Sequence, residues 1–123
     1  MILPAEARDA ERLCEEGYAA LEAGQFEEAH TLLARARSLA PRNALIHYRL
    51  GLLFIDTGRP GEALDALDTT LSLQPDNARA HNNRGSALQQ LGRLEDAEKA
   101  FQRALELGPD LVPPYLNLGK LLE

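Results

Sequence analysis

NARAHNNRGSALQQLGRLEDAEKAFQRALELGPD runs from Asn77 to Asp110, and its landmarks recur along the whole chain. Gly85 belongs to a row with Gly17, Gly51 and Gly119, each 34 residues after the last. Gly92 follows Gly24 and Gly58 at the same interval, Ala97 follows Ala29 and Ala63, and Pro109 follows Pro41 and Pro75. Four rows with one period are the signature of a repeat protein, in which each unit buries its apolar face against its neighbours. The units are residues 10–43, 44–77 and 78–111, with a partial fourth at 112–123.

Each unit reads as two helices. Pro41-Arg42-Asn43 and Pro75-Asp76-Asn77 stop one helix and offer an amide cap to the next. Gly24, Gly58 and Gly92 mark tight turns inside the units, and Pro60 suits a first helical residue because its missing N–H leaves no bond unmade there. The expected helices are 6–23, 26–39, 44–57, 60–73, 78–91 and 94–107. Glycine inside a helix costs about 1 kcal/mol relative to alanine, so the Gly17 row needs a packing reason. Close approach of the paired helices supplies one. Gly85 is expected to face Ala97, with Leu33, Leu67 and Phe101 filling the next layer.

In the third unit the pattern is His81, Arg84-Gly85, Leu88, Ala97, Phe101, Ala104 and Pro109. In the second it is His47, Leu50-Gly51, Phe54, Ala63, Leu67, Thr70 and Pro75, and in the first Leu13, Glu16-Gly17, Ala20, Ala29, Leu33, Ala36 and Pro41. Tyr115, Leu118-Gly119 and Leu122 begin a fourth. With these residues the sequence resembles the tetratricopeptide repeat (TPR) family over residues 10–123. The departures are the lack of tryptophan and Thr70 at an alanine position. The resemblance implies an all-α, right-handed superhelical solenoid of antiparallel helix pairs, three units plus a closing helix, as a single domain over 1–123. It also implies that the first helix of each unit lines a concave groove.

Helical periodicity agrees with that assignment. Arg79, Asn82, Asn83, Ser86, Gln89 and Gln90 share one face of helix 78–91, opposite Ala80, Ala87, Leu88 and Leu91. Amides donate and accept at once, so this stripe suits the backbone of an extended peptide. In the TPRs of O-linked N-acetylglucosamine transferases an asparagine at one recurring position holds the ligand backbone. Asn83 and Asn117 match it, while Arg49 and Glu15 stand there in the first two units, so the resemblance implies a partial ladder. The rest of the expected wall is Glu11, Cys14, Tyr18 and Glu22 in the first unit, and Leu45, Tyr48, Arg49, Leu52 and Ile55 in the second. The carboxylate clamp of chaperone-binding TPRs, a Lys, Asn, Asn, Lys, Arg set, is here Cys14, Tyr18, Arg49, Arg79 and Asn83. Most of it is missing, which disfavours a chaperone tail as ligand.

Composition narrows the alternatives. The chain is 45% hydrophobic and 26% charged, with three Phe, three Tyr and no Trp, a balance that favours helix. The net charge is −6, and residues 1–28 carry all of it: eight acids against Arg8 and Arg12, 2 − 8 = −6. No basic face is left to meet a phosphate backbone, so nucleic acid is not expected as a partner. No apolar run is long enough for membrane insertion. Cys14, the single cysteine, excludes an internal disulfide or a cysteine zinc cluster. Met1-Ile2-Leu3-Pro4 has neither the basic region nor the apolar core of a signal peptide, so a cytoplasmic setting is expected. Eleven Arg against two Lys point to a GC-rich bacterial genome.

Candidates for chemistry resolve into structure. His47 and His81 share one wall register, too far apart to hold one metal, and His30 is expected as partly buried filler on a second helix. Glu11, Glu15 and Glu16 surround Cys14, so it is expected to be an inert thiol. No catalytic constellation, cofactor site or metal site is found, and no enzyme activity is expected. The chain reads as a protein–protein interaction module binding a peptide or partner in its groove. The alternative is the non-catalytic, substrate-presenting arm of a larger enzyme such as a glycosyltransferase. Helix 112–122, apolar nearly all round, is expected to self-associate unless more chain covers it.

Overall fold

The computed structural model describes residues 4–110. These form six helices: α1 (Ala5–Glu22), α2 (Phe26–Leu39), α3 (Ala44–Asp56), α4 (Pro60–Leu73), α5 (Ala78–Gln90) and α6 (Leu94–Leu107). They pack as three antiparallel pairs, α1 on α2, α3 on α4 and α5 on α6, stacked so that α2 meets α3 and α4 meets α5. The expected bounds hold to within a residue. The partial fourth unit, with Tyr115, Asn117 and Gly119, lies outside the described residues.

Each pair turns by the same device. Gly24, Gly58 and Gly92 have φ of 78°, 72° and 78°, a left-handed conformation that costs other residues about 1–2 kcal/mol. In the first turn Gly24 N–H donates to Leu21 O and Gln25 N–H to Ala20 O, at 3.0 and 2.8 Å. Two otherwise orphaned carbonyls are thereby satisfied, the Schellman arrangement. Gly58 with Arg59 and Gly92 with Arg93 repeat it. Nothing lies within 4 Å of where a Cβ on Gly92 would stand. Gly92→Ala is therefore expected to cost about 1–2 kcal/mol from backbone strain alone. An unchanged urea midpoint would show that this turn does not depend on its left-handed residue.

Between pairs the chain closes on its asparagines. Asn43 accepts from Leu45 N–H at 3.0 Å and Asn77 from Ala80 N–H at 2.9 Å, each capping the next helix. His47 Nε2 lies 2.7 Å from Pro41 O, and His81 Nε2 lies 2.9 Å from Pro75 O. A carbonyl can only accept, so Nε2 carries the proton in both rings. The two histidines therefore clasp each first helix to the segment before it.

The helix glycines meet a nearer partner than the one expected. A Cβ on Gly85 would lie 2.6 Å from Cδ1 and 2.9 Å from Cζ of Phe101, closer than any atom of Ala97. Gly17 and Gly51 meet Leu33 and Leu67 in the same way, with Cβ positions 2.7 Å from each leucine Cγ. The large side chain, sixteen residues on, fills the notch that the glycine leaves. Ala29, Ala63 and Ala97 are fully buried elsewhere in the same seams. Leu91 also departs from expectation. It is the C-cap of α5 and 43% exposed, because the helix ends before it can turn inward.

Candidate functional site

The first helices of the pairs, α1, α3 and α5, lie side by side. Positions two, five, six, nine and thirteen of each unit recur at i, i+3, i+4 and i+7 spacing, so they share the face these helices present together. The registers differ in depth. Glu11, Leu45 and Arg79 are exposed, Leu45 at 43%. Tyr18, Leu52 and Ser86 are all half-buried, and Glu22, Asp56 and Gln90 are exposed at the far end. Cys14 and Asn82 lie deeper, at 2% and 8% exposed, while Tyr48 is half-buried. Asn82 is therefore set beneath the face and engaged within the protein, instead of standing out with the other amides.

On this face two links cross between first helices. Arg49, from α3, reaches back to α1. Its Nη1 donates to Glu15 Oε1 at 3.0 Å and to the Cys14 carbonyl and Sγ at 3.3 Å. Its guanidinium lies over the Tyr18 ring, 4.3 Å from the centroid. Burial works against the Arg49 charge, but Glu15 and Cys14 outweigh it and hold the guanidinium above its ordinary value. Glu15 is largely exposed while the Arg49 side chain is 13% exposed, so the pair is a partly shielded one. Cys14 thus has a positive neighbour as well as the acidic ones expected. Desolvation still dominates, raises its pKa and leaves a protonated thiol.

The second link joins α5 to α3. Asn83 Nδ2 donates to the Tyr48 hydroxyl at 3.0 Å. Burial pushes the Tyr48 phenol up, against the Asn83 bond and the charges of Arg79 and Arg49. The hydroxyl accepts from Asn83 and keeps its own proton for another acceptor. Tyr48→Phe should leave that amide without its acceptor and cost about 0.5–1.5 kcal/mol. Adding Asn83→Ala should cost little more, because the two lose one bond. Full additivity in urea unfolding would dissolve the link.

Both links pair residues 34 or 35 apart, that is, near-equivalent positions of neighbouring units. Sequence reasoning treated each register as presented to solvent and missed them. The signal was there in complementary types one repeat apart, Glu15 with Arg49 and Tyr48 with Asn83. Gln89 and Gln90 make no side-chain hydrogen bond among the described residues. Their amides are free to donate and accept. Ser86 donates weakly to Asn82 O at 3.4 Å. Asp56, whose carboxyl partial burial holds above its ordinary value, borders this face and was not among the expected residues. Asn117 lies outside the described residues.

Among the described residues no three His, Cys, Asp or Glu side chains could hold a metal. His47 and His81 are occupied by their carbonyls, and His30 meets Phe54 edge-on at 5.6 Å. Among the described residues no helix is long and apolar enough to cross a membrane.

The sequence pattern of the tetratricopeptide repeat matches residues 14–69 and 50–112. No curated protein matches the chain. Among solved structures, the TPR domain of Arabidopsis OM64 superposes with a TM-score of 0.90 at 23% identity, covering 95% of this chain and 97% of that one. The first TPR of Spaghetti (RPAP3), bound to the HSP90 peptide SRMEEVD, gives 0.88 at 23% identity, with 94% and 91% covered. An O-GlcNAc transferase mutant of Thermobaculum terrenum gives 0.91 at 27% identity, covering 98% of this chain and 23% of that one.

Proposed function

Since the chain belongs to the tetratricopeptide repeat family, we propose that it binds an extended or helical segment of a partner protein along the groove lined by α1, α3 and α5. The observation that carries this is the change of side-chain chemistry along that face. Glu11, Glu15 and Glu22 stand at one end, Leu45, Tyr48, Leu52 and Ile55 in the middle, and Arg79, Asn83, Ser86, Gln89 and Gln90 at the other. A matching segment has a basic end over α1, an apolar anchor over α3 and an accessible backbone over α5. The anchor supplies most of the affinity, as buried apolar side chains do at interfaces. The amides each add about 0.5–1.5 kcal/mol.

The reading is of a non-catalytic module. The HSP90 peptide stays with the neighbours that share only the fold, since Cys14 and Tyr18 stand at the first two clamp positions here and Arg49 is already held by Glu15. A single cysteine and the excess of Arg over Lys favour a cytoplasmic, bacterial setting. Self-association through 112–122 stays part of this proposal. A photo-reactive residue at Ser86 should cross-link to the native partner in the source cell, and one at Gln102 on α6 should not. Equal yields from both positions would sink the groove as the working surface.

A second reading has its own observation. The chain aligns with a stretch of the Thermobaculum terrenum enzyme at 27% identity, so it could serve as the substrate-presenting arm of a larger enzyme. The full reading frame separates the two, because the arm requires a catalytic domain in the same polypeptide.

A further inference from the structure

A trough of about 390 Å³ opens between the second helices α2 and α4, with α3 as its floor. Its volume falls in the range of ligand sites, roughly 300–1,000 Å³. Two residues account for it. In the 34-residue register His30 and Arg37 of α2 correspond to Leu64 and Leu71 of α4. Leu64 packs against the cluster of Leu88, Ala97, Ala100 and Phe101 and helps fill the next seam, and Leu71 is half-buried. The polar pair leaves the first seam open, with both side chains on its wall.

The trough is polarised. Phe54 and Ala66 form apolar floor, and His30 stands edge-on to the Phe54 ring. Glu62, at one end, is already neutralised by Arg59 at 2.6 Å. Arg37 and Asp65 have no ion-pair partner among the described residues. Arg37 stands at the register of Leu71, six positions past Asp65, which is about 9 Å along the helices. An open cation and an open carboxylate therefore lie at separated points of one crevice. Two side chains three residues apart on an extended segment are about 10 Å apart along the chain and point to opposite sides, as Arg37 on α2 and Asp65 on α4 require.

We propose that this trough takes a short extended segment of a partner protein bearing a basic and an acidic side chain three residues apart. The basic group pairs with Asp65, the acidic group with Arg37, and the intervening aliphatic part lies on Phe54 and Ala66. The proposal is independent of the α1–α3–α5 groove, which uses other residues of α3 together with α1 and α5.

The test titrates acetyl-Arg-Ala-Ala-Glu-amide into the isotope-labelled full chain and follows the backbone amide shifts. Saturable shifts are expected at Phe54, Asp65, Ala66 and Thr69. The double variant His30→Leu, Arg37→Leu places in this seam the leucines the next seam already carries, and should fold with unchanged circular dichroism. It should bind about tenfold more weakly, because it loses the Arg37 ion pair and fills the trough with leucine. Should it not fold, Asp65→Asn with Arg37→Gln makes the same test without refilling the seam. A peptide with both charges replaced by glutamine should show the same loss. No saturable shift, shifts confined to Tyr48, Leu52 and Asn83, or equal affinity for the charge-removed peptide would each overturn the proposal.

Discussion

Phe101→Ala is expected to cost about 3–5 kcal/mol, the largest effect of any single truncation among the described residues. Phe101 is fully buried and its ring fills the notch at Gly85. The companion substitution makes the expectation sharper. In the native chain Gly85→Ala gains about 1 kcal/mol of helix propensity but drives a methyl into the Phe101 ring, where overpacking costs about 1–3 kcal/mol. The net change is a loss. In the Phe101→Ala background the ring is gone, the clash goes with it, and Gly85→Ala should become stabilising by up to about 1 kcal/mol. Urea unfolding of the four proteins reads this change of sign directly. If Gly85→Ala destabilises equally in both backgrounds, the glycine is there for some reason other than this ring.

Leu52→Ala and Tyr48→Ala should each weaken a groove ligand by about 2 kcal/mol, roughly thirtyfold, as expected where an apolar anchor carries an interface. Leu52 is half-buried at the centre of the α1–α3–α5 face, and Tyr48 is tied into position by Asn83. Tyr48→Ala also cuts that tie, so Leu52→Ala is the cleaner of the two. Glu15→Gln should act differently. Glu15 is largely exposed and holds Arg49, so its loss removes one charge from the acidic end and releases a guanidinium. The expected consequence is a change in association rate and salt dependence larger than any change in affinity.

The fold was legible because the period is carried by residues with few substitutes. A left-handed turn selects Gly24, Gly58 and Gly92, and a helix stop with a cap selects Pro41 with Asn43 and Pro75 with Asn77. The partner of Gly85 was not legible, because Ala97 and Phe101 both lie on the buried side of α6 and only the packing decides which one meets the notch. Leu91 misled because an apolar residue in phase with a helix face does not reveal that the helix has just ended. On the candidate site, periodicity groups residues by helix face but carries no information on depth. Asn82 and Asn83 are neighbours in sequence, yet one is buried and the other bridges to Tyr48. Arg49 was expected on the wall of the second unit, and its hold on Glu15 emerges only once α1 is placed beside it.

The central claim is that the α1–α3–α5 groove, with its apolar middle, is where a partner is held. Selection of binders from a displayed random-peptide library, followed by calorimetry of one selected peptide against the native chain, Leu52→Ala and the outer-face variant Gln102→Ala, tests it most directly. The selected ligand should carry an apolar residue flanked on one side by basic ones. Its affinity should fall roughly thirtyfold in Leu52→Ala and stay unchanged in Gln102→Ala, with circular dichroism identical in all three. Selected peptides that bind Leu52→Ala as tightly as the native chain would contradict it.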